Sequence, residues 1–216
     1  MKKKIAALLC LVLMFTMILS GCGANEKDAI LGTWEGTLDM TDALNASIAA
    51  AGDEEMAKYL AFDNFELKIT MTFNADDTYA LTVDEEHLSD QVDGLMEQMV
   101  DCMYTYMGDY LAEMGLDMSV DELLAQMGYT MEQLVEESFD RDDLAESFSE
   151  LETEGNFKVA DGKLYMSEGT NYAVDEDVYE TYTIEGSTLT ISEGTADDDA
   201  DEIFQYIYPM VLNKVG

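Results

Sequence analysis

The chain has 216 residues, with 47 Asp and Glu set against 10 Lys and Arg, and a formal net charge of −37. A polyanion of this kind repels nucleic acid and anionic lipid headgroups, so no nucleic-acid partner is expected. One histidine excludes a multi-histidine zinc site and leaves a Ser–His–Asp triad only one possible base.

Lys2, Lys3 and Lys4 precede an apolar run from Ile5 to Leu19. The run is too short for a transmembrane helix of about 20 residues and reads as a signal segment. It ends in Leu19-Ser20-Gly21-Cys22, which resembles the lipobox of bacterial lipoproteins. In those proteins small residues fit a dedicated signal peptidase and the cysteine carries a diacylglycerol. The resemblance implies a signal peptide over 1–21, a lipidated tether over 22–29 that starts at a palmitate-type anchor on Cys22, and a folded domain over 30–216. It places the protein on the extracytoplasmic face of a cell membrane, held there by its lipid. Cys10 would leave with the signal and Cys22 would be a thioether. Only Cys102 would then remain, so the exported domain must be held by its core without an internal disulfide.

Gly23 to Lys27 reads as a polar tether, and Thr33 to Met40 as a first strand. The Ala-rich stretch from Thr41 to Phe62 reads as a helix capped by Thr41 or Asp42. Phe65, Leu67, Ile69, Met71 and Phe73 alternate with polar residues, the period-2 mark of a half-buried strand over 64–73. Asn74 to Asp77 is a turn, and Tyr79, Leu81 and Val83 alternate again in a strand over 78–84, completing a hairpin.

From about 88 to 151 the period becomes helical. Met96, Met99, Met103, Met107, Tyr110 and Met114 share one helical face, expected to pack into the core. Ser119 with Glu122, and Thr130 with Gln133, form capping boxes, and Gly115 and Gly128 are helix stops. A last helix over about 142–151 makes three or four helices in this insert.

Strand signals return over 154–160 and 163–168, joined by Asp161-Gly162 as a type I′ turn. A further hairpin covers 178–184 and 187–192, and a closing strand covers 204–214. Pro209 lacks an N–H and must lie at that strand's start, at an edge or at a bulge. Eight sequential antiparallel strands predict a mainly β fold, an up-and-down barrel with a helical insertion between strands 3 and 4.

Gly32-x-Trp34 at the first strand, the hairpin order and the closing "PMVLNKV" resemble the lipocalin-like small lipoproteins of Gram-positive bacteria, and the wider lipocalin group. The resemblance implies that Gly32 turns the chain into the first strand and that Trp34 closes one end of the barrel. Lipocalins place an Arg over that Trp; here only Lys214 is available, and the helical insert is foreign to the group.

Chemistry-bearing groups are sparse. His87 follows Asp84-Glu85-Glu86 at a strand-to-helix junction and reads as a solvated residue rather than a base or ligand. No catalytic set or glycine-rich phosphate loop is present, so no enzyme and no cofactor is expected. Calcium is the one ionic candidate. Asp197, Asp199, Asp201 and Glu202 gather hard oxygens in a loop, as do residues 175–180, but neither stretch has the spacing of a calcium loop with its turn glycine. Two functions are expected: a non-enzymatic lipoprotein binding a small apolar or amphipathic ligand in the barrel or beneath the insert, or a filled barrel whose acidic insert docks a basic protein. Inward Phe65, Phe73, Tyr79, Phe157, Tyr182 and Phe204 would favour the filled barrel.

Overall fold

Every strand pairs with its neighbours in sequence, and the first pairs with the last, so the sheet closes on itself. The computed structural model describes residues 24–51, 58–195 and 204–215. The strands are β1 (Gly32–Asp39), β2 (Glu66–Phe73), β3 (Thr78–Val83), β4 (Thr153–Ala160), β5 (Lys163–Met166), β6 (Tyr179–Glu185), β7 (Thr188–Thr195) and β8 (Met210–Val215). The helices are α1 (Ala24–Ile30), α2 (Thr41–Ala51), α3 (Glu85–Glu113), α4 (Val120–Met127), α5 (Met131–Ser138), α6 (Arg141–Ser149) and α7 (Phe204–Ile207). This is the expected lipocalin-like barrel, mainly β, with helices α3 to α6 inserted between β3 and β4.

Alternation sets the core. Leu67, Ile69, Met71 and Phe73 of β2 point inward with Trp34 and Leu38 of β1, Phe157 of β4, Leu164 of β5, Leu189 and Ile191 of β7, and Leu212 of β8. Each is at most 5% exposed. The strands that close the barrel, β1 and β8, cross tightly. A Cβ on Gly36 would lie 2.5 Å from Leu212 Cδ2 and 2.6 Å from the Val211 carbonyl, so only glycine lets β1 approach β8 there.

The end of the barrel where the chain enters is sealed. Gly32 has φ +118°, a conformation that side chains resist, and turns the chain from α1 into β1. Trp34 is fully buried and its indole N–H donates to the Ile30 carbonyl at 2.7 Å. Lys214 lays its ammonium 4.8 Å from the Trp34 ring centroid and donates to the Ala29 carbonyl at 3.4 Å. The lysine, the one basic residue expected near this ring, thus covers the tryptophan. α1 is fastened from its other side as well, since Lys27 donates to the Ala75 carbonyl at 2.9 Å and pairs with Asp77 at 2.6 Å.

The insert leaves from the opposite end. Asp84 caps α3 by accepting from the His87 N–H, and Leu88, Val92, Leu95 and Met99 bury the helix's first half. Gln91 accepts from the Glu66 N–H, while Gln98 accepts from the Asp63 N–H and donates to the Asp63 carbonyl, so α3 is held along the entry to β2. Phe65 meets Phe148 of α6 with ring centroids 4.6 Å apart. Both capping boxes form as expected.

Four expectations change. The tether is partly helical: α1 already covers Ala24–Ile30, held down by the Lys27 contacts. The helix expected to reach Phe62 stops short of it, since residues 60–62 are not helical; α2 is described over Thr41–Ala51. The closing strand begins at Met210 rather than 204, because Pro209 has no N–H to give the ladder and Phe204–Ile207 turns as a short helix before it. The methionine face is only partly core: Met99 is buried, Met96, Met103 and Met107 are half-buried, and Tyr110 and Met114 are exposed at 52% and 58%. At about 1.5 Å per residue, α3 runs roughly 43 Å, and its last turns leave Tyr110 and Met114 to solvent.

The seal can be tested by chemical denaturation followed by circular dichroism. Trp34→Ala should cost about 3–5 kcal/mol by leaving a cavity, and Lys214→Ala about 0.5–1 kcal/mol through the lost cation–π contact. The native tryptophan emission should be blue-shifted and should move red on unfolding.

Candidate functional site

Three places could hold a function: the barrel interior, its open end, and the helical insert. The interior is occupied by its own side chains. Trp34, Leu67, Phe73, Phe157, Leu164, Leu189, Ile191 and Leu212 are each no more than 2% exposed, and Phe73 and Phe157 meet edge to face at 4.9 Å. Of the aromatic residues expected to fill it, Phe65, Phe73, Tyr79 and Phe157 are buried and Tyr182 is half-buried. Phe65 lies at the open end against the insert. The Phe204 side chain lies outside the described residues.

The strand period places one carboxylate facing in. Glu180, Tyr182 and Ile184 alternate toward the interior of β6, and the Tyr208 hydroxyl donates to Glu180 at 3.3 Å. Burial pushes the Glu180 carboxyl above its ordinary value, against the opposing pull of hydrogen bonds from its own backbone and from Tyr208. Burial likewise pushes Tyr182 up to about 12, with the Glu26 carboxylate adding to the effect. The Tyr79 hydroxyl donates to the Ser167 carbonyl at 3.3 Å, and burial raises it too. The Tyr79 and Tyr208 hydroxyls are each held by a hydrogen bond within the fold.

The remaining candidates do not converge. Gly32 and Trp34 form the sealed end and face no solvent-filled site. Cys22 and the acidic set Asp197, Asp199, Asp201 and Glu202 lie outside the described residues. In the other acidic stretch, Asp175 accepts from the Asp177 N–H, Glu176 pairs with Lys158 and Glu180 turns to Tyr208, so the carboxylates point to three different partners. Among the described residues no group of three His, Cys, Asp or Glu is arranged to hold a metal. His87 is anchored at the start of α3, half-buried rather than solvated, with its Nε2 buried and unpartnered. Cys102 is half-buried on α3 and burial raises its thiol pKa, which disfavours the nucleophilic thiolate.

The insert supplies a concave surface that reading in sequence order missed. α3 runs beside α5 and α6 and leaves a groove of about 360 Å³. Met96, Val100, Val135 and Phe139 make its floor, while Asp93, Glu97, Glu132, Glu136 and Asp140 line its rim. Arg141 lies at one end, its guanidinium bound to Asp93 at 2.5 Å and to the Ser89 hydroxyl at 2.7 Å. The residues on each wall are four apart, the signal that could have revealed the rows; that the two rows face each other is a tertiary fact.

Glu180 gives a pH signature. An acid with a higher pKa folded than unfolded makes its full contribution below the unfolded value of 4.5, and loses it as pH rises through the folded value. Glu180→Gln should therefore leave the melting temperature nearly unchanged at about pH 4 and raise it increasingly toward about pH 8, as read by thermal denaturation across that range.

Compared with known proteins, the chain matches no protein-family model, no curated protein and no solved structure, so its function is read from its own residues.

Proposed function

We propose that this chain is a lipid-anchored, non-enzymatic lipoprotein of the extracytoplasmic membrane face, whose filled barrel is a scaffold presenting an acidic helical arm to a basic protein partner. The filled interior carries the choice between the two expected functions: eight large side chains at 2% exposure or less occupy the space that an interior ligand would need. The anchor rests on the lipobox resemblance at Leu19 to Cys22.

The geometry suits such an arrangement. α1 begins two residues after Cys22 and covers the sealed end, so a lipid on Cys22 would hold that end toward the membrane. The insert departs after Val83 and returns at Thr153, at the far end of the strands. Strands of about eight residues, tilted as in small barrels, put roughly 20 Å between the two ends. Repulsion between the acidic body and anionic headgroups favours this upright stance. No described helix is long and apolar enough to cross a membrane, and two or more acyl chains are sufficient for stable anchoring.

Cys22→Ala should release the protein from the membrane fraction and abolish incorporation of a labelled fatty acid; unchanged retention would refute the anchor. Native mass spectrometry of the protein purified from its host should show the acylated chain without a further small-molecule adduct. A stoichiometric adduct would replace the scaffold reading with the ligand-binding one.

A further inference from the structure

We propose that the groove between α3 and α5–α6 is the docking site for a cationic amphipathic helix of the partner protein. The inference rests on the reading that the insert is the interaction surface, and it specifies where and by what chemistry. Each wall carries the same motif. On α3, Met96 and Val100 are four apart and flanked by Asp93 and Glu97, also four apart. On the other wall, Val135 and Phe139 stand four apart beside Glu132 and Glu136. Two apolar rows facing each other, each edged in carboxylate, form a trough with an oily floor and negative lips.

A helix with apolar residues along one stripe and Lys or Arg beside it matches both features at once. The trough has room for a few apolar side chains rather than a whole domain, and its methionine can repack around them. Charge decides the sign of the occupant. Arg141 is already committed to Asp93 and Ser89, and among the described residues no cation pairs with Glu97, Glu132 or Glu136. A second copy of this chain would bring its own excess of acid and be repelled, while a neutral apolar molecule would leave the lips unmatched.

The test uses the chain from Gly23 onward, because the core runs from Ile30 to Leu212 and this piece contains it whole. A fluorescein-labelled Leu/Lys peptide of about five helical turns, amphipathic by spacing, is titrated by fluorescence anisotropy at about 0.15 M salt. Binding should weaken by about tenfold or more in the Glu97→Gln/Glu136→Gln double variant. The Glu35→Gln/Glu185→Gln pair removes the same charge from exposed barrel positions and should stay within about twofold of the unaltered chain. A scrambled peptide of equal charge should bind about tenfold more weakly than the amphipathic one. Equal loss in both doubles, or equal binding of the scrambled peptide, would reduce the effect to bulk charge and overturn the proposal. So would equal affinity for a Leu/Gln peptide, which would assign the groove to a neutral ligand, or a concentration-dependent dimer abolished by the first double variant, which would assign it to a second copy. A natural partner that binds the arm but ignores Glu97 and Glu136 would overturn the groove and leave the arm's role standing.

Discussion

The rest of the structure depends on β1 meeting β8, and the contact that fixes that meeting is the indole of Trp34 held between the Ile30 carbonyl and the Lys214 ammonium. Ala29 and Lys214 are 185 residues apart. By the logarithmic rule, joining such distant points costs on the order of 5 kcal/mol in chain entropy. With Cys102 the one cysteine among the described residues, no internal covalent link there shares the cost. Full burial of Ile30, Trp34 and Leu212, at roughly 1.5–3 kcal/mol each, is enough to offset it. Gly36 then matters as much as the tryptophan, because a side chain there would hold the two strands apart.

The acidic composition is less self-repelling than its total suggests. Asp84 with Glu85 and Glu86, Ser119 followed by Asp121 and Glu122, and Asp140 followed by Asp142 and Asp143 all place carboxylates in the first turns of helices. There they meet the positive ends of the helix dipoles and the unpaired N–H groups. The last turns of α3 to α6 carry no basic residue, so the arm gains from its N-termini alone and leaves its outer carboxylates unmatched. An arm built this way is folded by its acids and by Leu111, Leu124, Met131 and Val135 beneath them, while its surface remains strongly negative.

The barrel was legible because its signals are local. Period 2 in β2, the positive φ angles that Asp161 and Gly162 supply to their turn, and the two capping boxes each involve residues within a few positions of one another. Gly32 and Trp34 were legible through resemblance, and Lys214 found its ring as a lysine can, by cation–π attraction. What escaped was set by distance. α1 is too short to show a helical period and is held by Asp77, fifty positions on. The methionine stripe has the spacing of a core face, yet of its members only Met99 is fully buried. The groove depends on α3 lying beside α5, and nothing in either helix's own pattern announces its neighbour.

The placement of α1 and the insert at opposite ends of the barrel has a mechanical consequence. A pull applied between the chain's start and the insert enters β1 at the sealed end and leaves from β3 and β4 at the open one. That line runs along the strands, while the ladder bonds that join β1 to β2 and β2 to β3 lie across it. The bonds are therefore loaded side by side in shear, rather than opened one after another like a zip. The topology that seals the core thus also makes the barrel a stiff link between α1 and the insert.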